Sequence, residues 1–202
     1  MVAPIEKAPA ESSGKPDLSV KSYVVRGFIT ELKRIDLFDA VVAKVEPATR
    51  RFLLDPAPGS TWVDWRYSEE VGEVVSALVG LPGWRKISHD ATINNMVPVL
   101  RVVIEGFLRL FGATPAALLS RLTKITSSSA RDIEYDYQPT SSRSGVLTVR
   151  YPTRRNVPLS TFYCCAGGVE TIFDICRTAG TLGNSKLIDD GRANAARLDA
   201  KW

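Results

Sequence analysis

Apolar residues recur with the period of a helix along the first half of the chain. A β-branched run predicts a short strand over Val20–Val25, and one broken helix or two short helices are predicted after it. Ser68 is predicted to begin a helix that the Gly80–Gly83 segment breaks. The longest predicted helix extends from about Asp90 to Phe111, and Pro98 is expected to kink or divide it.

The period changes from 3.6 to 2 in the second half. Alternation over Arg131–Tyr137 and Gly145–Tyr151 predicts an antiparallel hairpin joined by the polar segment 138–144. A helix over about 160–178 follows, and alternation over 196–202 predicts a C-terminal strand added to the hairpin. The expected fold class is α+β, a helical N-terminal half followed by a small antiparallel sheet (β-β-α-β) with helices packed on it.

Composition predicts one globular domain behind a tail. Residues 1–19 lack hydrophobic periodicity and are rich in proline and alanine, so we predict a disordered tail there and a single domain over 20–202. No apolar run is long enough for a signal peptide or a membrane span. Three cysteines cannot all pair within one chain, which favours reduced thiols and a cytoplasmic protein.

Charge and the single histidine narrow the chemistry further. The net charge of +4 is scattered along the sequence, so neither nucleic acid nor a membrane is expected as a partner. His89 is the only histidine, and the Ser88-His89-Asp90 cluster is expected to cap the start of the long helix. One histidine and three late cysteines have no metal-site spacing, so we expect no metal and no catalytic residue.

Two groups of residues are candidates for binding. An apolar pocket between the long helix and the sheet would be lined by aromatic side chains: Trp62, Trp65, Trp84, Phe107 and Phe111. Trp62 and Trp65 are spaced as neighbours on a helical turn. Cys165, Gly167 and Gly168 form an interface candidate, because helical glycines permit close approach by the sheet, a second subunit or a ligand.

Four segments then carry a family resemblance: Glu105–Gly112, Pro115–Ile125, Ile133–Tyr137 and Phe162–Gly180. From about Val24 onward the chain resembles a domain family of unknown function that is expanded in myxobacteria. That family is distantly similar to the haem-NO/oxygen-binding, four-vinyl-reductase and TRAPP-like fold. The resemblance implies a small-molecule sensor or an interaction scaffold.

The haem branch of this fold is not expected to apply. Its Tyr-x-Ser-x-Arg propionate motif has no counterpart, because Arg150–Arg154 has a different spacing, and His89 precedes the long helix. We therefore expect no cofactor. The leading hypothesis is a non-enzymatic regulatory or scaffold module that acts through protein contacts or self-association. The alternative is a sensor of a small apolar ligand, and a third hypothesis is an enzyme with Cys164 or Cys165 as nucleophile and His89 as base.

Overall fold

A computed structural model describes residues 18–112, 114–153, 156–189 and 194–202. Residues 1–17, most of the predicted tail, lie outside these ranges. Within them Leu18 and Ser19 are buried, so the packed part of the chain includes at least two residues that the prediction assigned to the tail.

Helices dominate the described residues between 18 and 126. They are α1 (Ser22–Arg34), α2 (Phe38–Val42), α3 (Pro47–Leu54), α4 (Arg66–Ala91), α5 (Val97–Phe111), α6 (Pro115–Leu119) and α7 (Leu122–Thr126), and α8 (Leu159–Ile175) follows later. A π-helical turn, Thr92–Met96, joins α4 to α5. The predicted break at Gly80 is confirmed, since Gly80 interrupts α4 with a φ of 76° that glycine adopts without Cβ strain.

Two antiparallel sheets complete the fold. The first is three-stranded, in the order β2 (Trp62–Asp64), β1 (Ser19–Lys21) and β3 (Ala130–Arg131). The second has the order β4 (Glu134–Ser141), β5 (Ser144–Tyr151), β8 (Asn194–Lys201) and β6 (Thr181–Leu182), and β7 (Lys186–Asp189) also pairs with β8. The predicted hairpin, late helix and added C-terminal strand are confirmed, and so is the α+β class.

The structure corrects three local predictions, two that concern strands and one that concerns the long helix. The first strand, β1, is only three residues long, because Val24, Val25 and Phe28 lie on the buried face of helix α1 instead. Packing on one helical face here overrides the strand preference of β-branched residues. The hairpin link is only Ser142-Arg143 rather than seven residues, since edge strand β4 tolerates Pro139 next to a register shift.

The predicted long helix is divided at its start. Its first residues belong to α4 and the π-helical turn, and Pro98 lies in the first turn of α5, where its missing N–H leaves no helical hydrogen bond unmade. The core runs continuously beneath these elements, and Trp84, Tyr151 and Phe162 are its largest fully buried side chains. The helices and the five-stranded sheet thus share one core.

Candidate functional site

An internal cavity of about 140 Å³ lies between the helices and the two sheets. Its wall is formed by α1, the end of α4 with the π-helical turn, α7, α8 and the strands β3 to β5. Most of the wall is apolar, as at Val24, Phe28, Leu122, Ile133 and Val169. A mostly apolar, concave space with a few polar groups is the usual form of a small-molecule site.

Three aromatic side chains bring polar atoms to this wall. The indole N–H of Trp65 and the hydroxyls of Tyr23 and Tyr151 are buried and make no hydrogen bond of good geometry with the described residues. The Tyr23 hydroxyl interacts with Ser129, and the Tyr151 hydroxyl interacts with the thiol of Cys165. Neither contact has the distance and angles of a well-formed hydrogen bond. Buried polar atoms without a partner are rare in native structures, so these three require an explanation.

The thiols and phenols of the wall are protonated at neutral pH. Burial raises the pKa of Cys164 to about 12 and that of Cys165 to about 11. Burial also raises the pKa of Tyr135 and of Tyr151 well above the ordinary value. The Tyr135 hydroxyl lies 3.4 Å from the Cys165 sulfur. The wall therefore presents neutral hydrogen-bond donors and no nucleophilic thiolate.

The π-helical turn borders the cavity through Thr92 and Met96. The Thr92 hydroxyl donates to the carbonyl of Ser88 at 2.8 Å and lies 3.7 Å from the Met96 sulfur. On the other side of this turn, the methyl end of Met96 packs against Gly27 of α1. Insertions of this kind into α-helices are frequent at functional sites, which agrees with the position of this one.

The pocket candidates occupy different places. Trp65 lies in the cavity wall, but Trp62 lies outside it, with Lys21 and Arg131 at 4.4 Å and 3.8 Å from its ring. Trp84 is a core residue whose indole N–H donates to the carbonyl of Ser160. The neighbouring spacing of Trp62 and Trp65 is not helical, because strand β2 carries the first and α4 begins after the second.

Phe107 and Phe111, the other two pocket candidates, belong to α5. Their side chains lie outside the described part of the structure. Tyr23, Tyr135 and Tyr151 are wall residues that the sequence analysis did not single out as site candidates.

The three interface candidates face the interior of the same chain. A Cβ on Gly167 would overlap the carbonyl oxygen of Arg85 and lie 3.0 Å from the backbone nitrogen of His89. Helix α8 therefore packs backbone to backbone on α4. Gly168 and Cys165 border the cavity instead. The neighbour at Gly167 is helix α4, and not the sheet, second subunit or ligand that the sequence analysis considered.

His89 lies in the last turn of α4 and not at a helix start, which corrects the expected cap. Its Nε2 pairs with Asp174 at 2.7 Å and its Nδ1 with Asp90 at 3.1 Å. Burial alone would lower the pKa of His89, but its hydrogen bonds to Asp90 and Asp174 outweigh burial and raise that pKa. The ring ties the end of α4 to the end of α8 and makes no hydrogen bond to either thiol.

Two negative findings apply to the described ranges, 18–112, 114–153, 156–189 and 194–202. No three histidine, cysteine or carboxylate side chains there come together as a metal site. No helix within them has the length and apolar character needed to cross a membrane.

Haem, which the family resemblance implies, does not fit the cavity. Pockets for drug-sized ligands occupy roughly 300–1,000 Å³, more than twice the volume of about 140 Å³ found here. The described wall residues include no histidine for an axial bond and no lysine or arginine to pair with propionates. Cys165 and Tyr135 would ligate iron as anions, and burial keeps both protonated.

No protein-family model and no curated protein matches the sequence. Similarity is found instead among solved structures of H-NOX (haem-NO/oxygen-binding) proteins. The Fe(II) unliganded H-NOX protein from K. algicida has a TM-score of 0.63 at 10% identity, covering 90% of this chain and 95% of that one. A doubly substituted Tt H-NOX has a TM-score of 0.60 at 11% identity, with coverages of 90% and 94%.

A third structure, described for modulating haem redox potential through porphyrin distortion, has a TM-score of 0.54 at 11% identity and covers 90% of this chain and 99% of its own. The predicted likeness to the haem-NO/oxygen-binding fold is therefore confirmed. The resemblance to a myxobacterial family stays a prediction, because no family model matches. At these identities the likeness shows the fold alone, and by that measure the chain has the α+β fold of H-NOX proteins.

Proposed function

We propose that this domain is a sensor module that binds a small, mostly apolar molecule, without haem, in the cavity beneath α8. The observation that carries the proposal is the mostly apolar cavity of about 140 Å³ inside a fold shared with haem-NO/oxygen-binding proteins. A cavity of roughly 150 Å³ lined by aliphatic and aromatic side chains holds benzene or xenon in another protein. The volume here thus matches a ligand of one ring.

The position of the π-helical turn supports sensing as well as binding. Thr92 and Met96 touch the cavity, and the same turn continues directly into α5. A ligand that prefers one arrangement of this turn would shift the equilibrium between arrangements by its differential affinity. The orientation of α5 would then report whether the cavity is occupied.

We also propose that the domain is not an enzyme. The thiols of Cys164 and Cys165 have pKa values of about 12 and about 11 because they are buried. The ring nitrogens of His89 face Asp90 and Asp174. The pair needed for a cysteine nucleophile activated by histidine is therefore not assembled among these residues.

A protein-contact function remains a second candidate because α5 exposes apolar side chains. Val102 is 82% exposed and Leu110 is 77% exposed. Substitution of both residues by serine should abolish self-association if this surface mediates it. Light scattering at increasing concentration tests this, and an unsubstituted chain that stays monomeric throughout would contradict self-association.

Benzene binding tests the sensor proposal. Benzene should raise the melting temperature and bind at one site in calorimetry, because a ligand that binds only the folded state stabilises it. Val169→Phe, and the smaller change Ala130→Val, should fill the cavity and weaken binding at least ten-fold. Val74→Phe is the control, since Val74 packs on the core away from the cavity.

Two results would overturn the proposal. The first is no benzene binding by the unsubstituted chain. The second is a stoichiometric, red-shifted Soret band after incubation with hemin, which would show that haem enters the fold.

A further inference from the structure

The unpartnered donors of the cavity wall specify more than a small apolar ligand. Trp65 is 8% exposed and Tyr151 is 0% exposed, yet the indole N–H and the hydroxyl have no hydrogen-bond partner of good geometry in the described chain. Their rings are neighbours, with centroids 6.4 Å apart. Two donors of different side chains are thus left open in one part of the wall.

The serine and threonine hydroxyls of the wall differ, because each already donates a hydrogen bond to a backbone carbonyl. Ser88 donates to Cys164 at 2.7 Å, and Thr92 donates to Ser88 at 2.8 Å. Thr126 donates to Leu122 at 2.9 Å, and Ser129 to Thr126 at 2.8 Å. The open positions are therefore confined to the aromatic side chains and do not reflect a generally loose wall.

The open groups require an acceptor. An indole N–H can only donate, and a neutral phenol can donate as well as accept. Burial raises the pKa of Tyr151 well above its ordinary value, so its hydroxyl keeps its proton. A ligand atom with a free lone pair, such as a carbonyl oxygen or a ring nitrogen, would satisfy either donor.

The wall also selects against charge. Its described residues include no lysine, arginine, histidine, aspartate or glutamate. An ion without a partner in an apolar cavity is strongly disfavoured, whereas a neutral molecule loses little on entry. The volume of about 140 Å³ limits the molecule to the size of one six-membered ring.

We propose that the cavity takes a neutral, single-ring-sized molecule with one hydrogen-bond acceptor, which Trp65 and Tyr151 recognise through their N–H and O–H groups. This rests on the proposed function, since it names the ligand class of the same cavity. Ordered water is the competing occupant, because water can also bridge buried polar groups.

Benzene and pyridine form a matched pair of probes, because they have nearly the same size and only pyridine has an acceptor. At pH 8, where pyridine is uncharged, calorimetry of each chain gives the ratio of the two affinities. Trp65→Phe should weaken pyridine about ten-fold and benzene less than about three-fold, and Tyr151→Phe should act in the same direction. Tyr137→Phe is the matched control, since the Tyr137 hydroxyl is also buried without a partner but lies outside the cavity wall.

Each outcome has a separate meaning. Equal losses of pyridine and benzene in both variants would overturn acceptor recognition and leave the sensor proposal standing. Benzene binding with no pyridine binding would also overturn it, and would indicate donors that retain water. Failure of both probes to bind the unsubstituted chain would overturn the sensor proposal itself. Two substitutions at separate wall positions keep the test decisive if one of them prevents folding.

Discussion

Helix α8 contacts α4 on one side and the cavity on another, and the two contacts differ. On the side that meets α4, Trp84 donates to Ser160 at 3.1 Å and Arg85 pairs with both oxygens of Glu170, at 2.9 Å and 2.6 Å. On the side that meets the cavity, Trp65 and Tyr151 have no partner of good geometry. Helix α8 therefore has a closely packed, hydrogen-bonded contact with α4 on one side and borders a cavity with two open donors on the other.

Buried hydroxyls without a partner occur elsewhere as well, as at Tyr137 and Ser160, but Trp65 and Tyr151 are neighbouring donors of the cavity wall. At the α4 contact two helix backbones approach closely, and Arg85 and Glu170 form a partly buried ion pair. Arg85 also donates to the carbonyls of Leu182 and Gly183. The same core that satisfies these groups over long sequence separations leaves two neighbouring aromatic donors, Trp65 and Tyr151, without a partner beside the cavity. Such a difference within one core is expected where stability gives way to binding.

The largest expected effect is at the α4 contact. Gly167→Ala should destabilise the domain by about 3 kcal/mol, because the new Cβ overlaps the Arg85 carbonyl and two helices must move apart. Gly168→Ala is the control one residue along, where the new Cβ would lie 3.4 Å from the Thr92 hydroxyl. It should be neutral or stabilising by up to about 1 kcal/mol, since alanine favours a helix. Urea unfolding measures both, and equal effects would contradict the close helix contact.

A pair of tryptophan substitutions compares the two faces directly. Trp84→Phe should cost about 1 kcal/mol more than Trp65→Phe. The first removes the hydrogen bond from the indole to the Ser160 carbonyl, which keeps its helical partner in α8, whereas the second removes a donor that has no partner. Both side chains are buried and lose the same atoms, so the cavity term largely cancels. The free energies of unfolding in urea give the difference, and a larger loss for Trp65→Phe would reverse the comparison.

The β-rich half of the fold could be predicted from the sequence because its strands are long. Alternation over seven residues defines a face, and Leu147, Val149 and Tyr151 are indeed buried on one side of β5. The three-residue strands β1 and β2 are too short to show a period, so the three-stranded sheet could not be predicted. Their pairing is made by partners more than forty residues apart.

The site was less accessible to prediction for a different reason. Tyr151 ends an alternating strand and has the pattern of any buried core tyrosine. Only the packing around it shows that the residue lines a cavity and that its buried hydroxyl has no carbonyl partner. Trp65 could be proposed from its neighbouring aromatics, but Trp62 and Trp84 fit the same pattern and lie outside the cavity wall. Sequence patterns indicate burial, and they do not indicate whether a buried donor is satisfied.

The smallest expected effect concerns His89, which joins the ends of α4 and α8 beside the closely packed contact. Its pKa is raised above 6.5 in the folded chain, so its stabilising effect is complete below about pH 6.5 and is lost as the pH rises through the raised pKa. The free energy of unfolding of the unsubstituted chain relative to His89→Gln should therefore be larger at about pH 5.5 than at about pH 8.5. The difference should stay below about 1 kcal/mol, because Asp174 is half exposed and solvent screens the pair. Asp174→Asn should reduce the same pH dependence, and a relative stability that grows with pH would show that His89 does not act through these carboxylates.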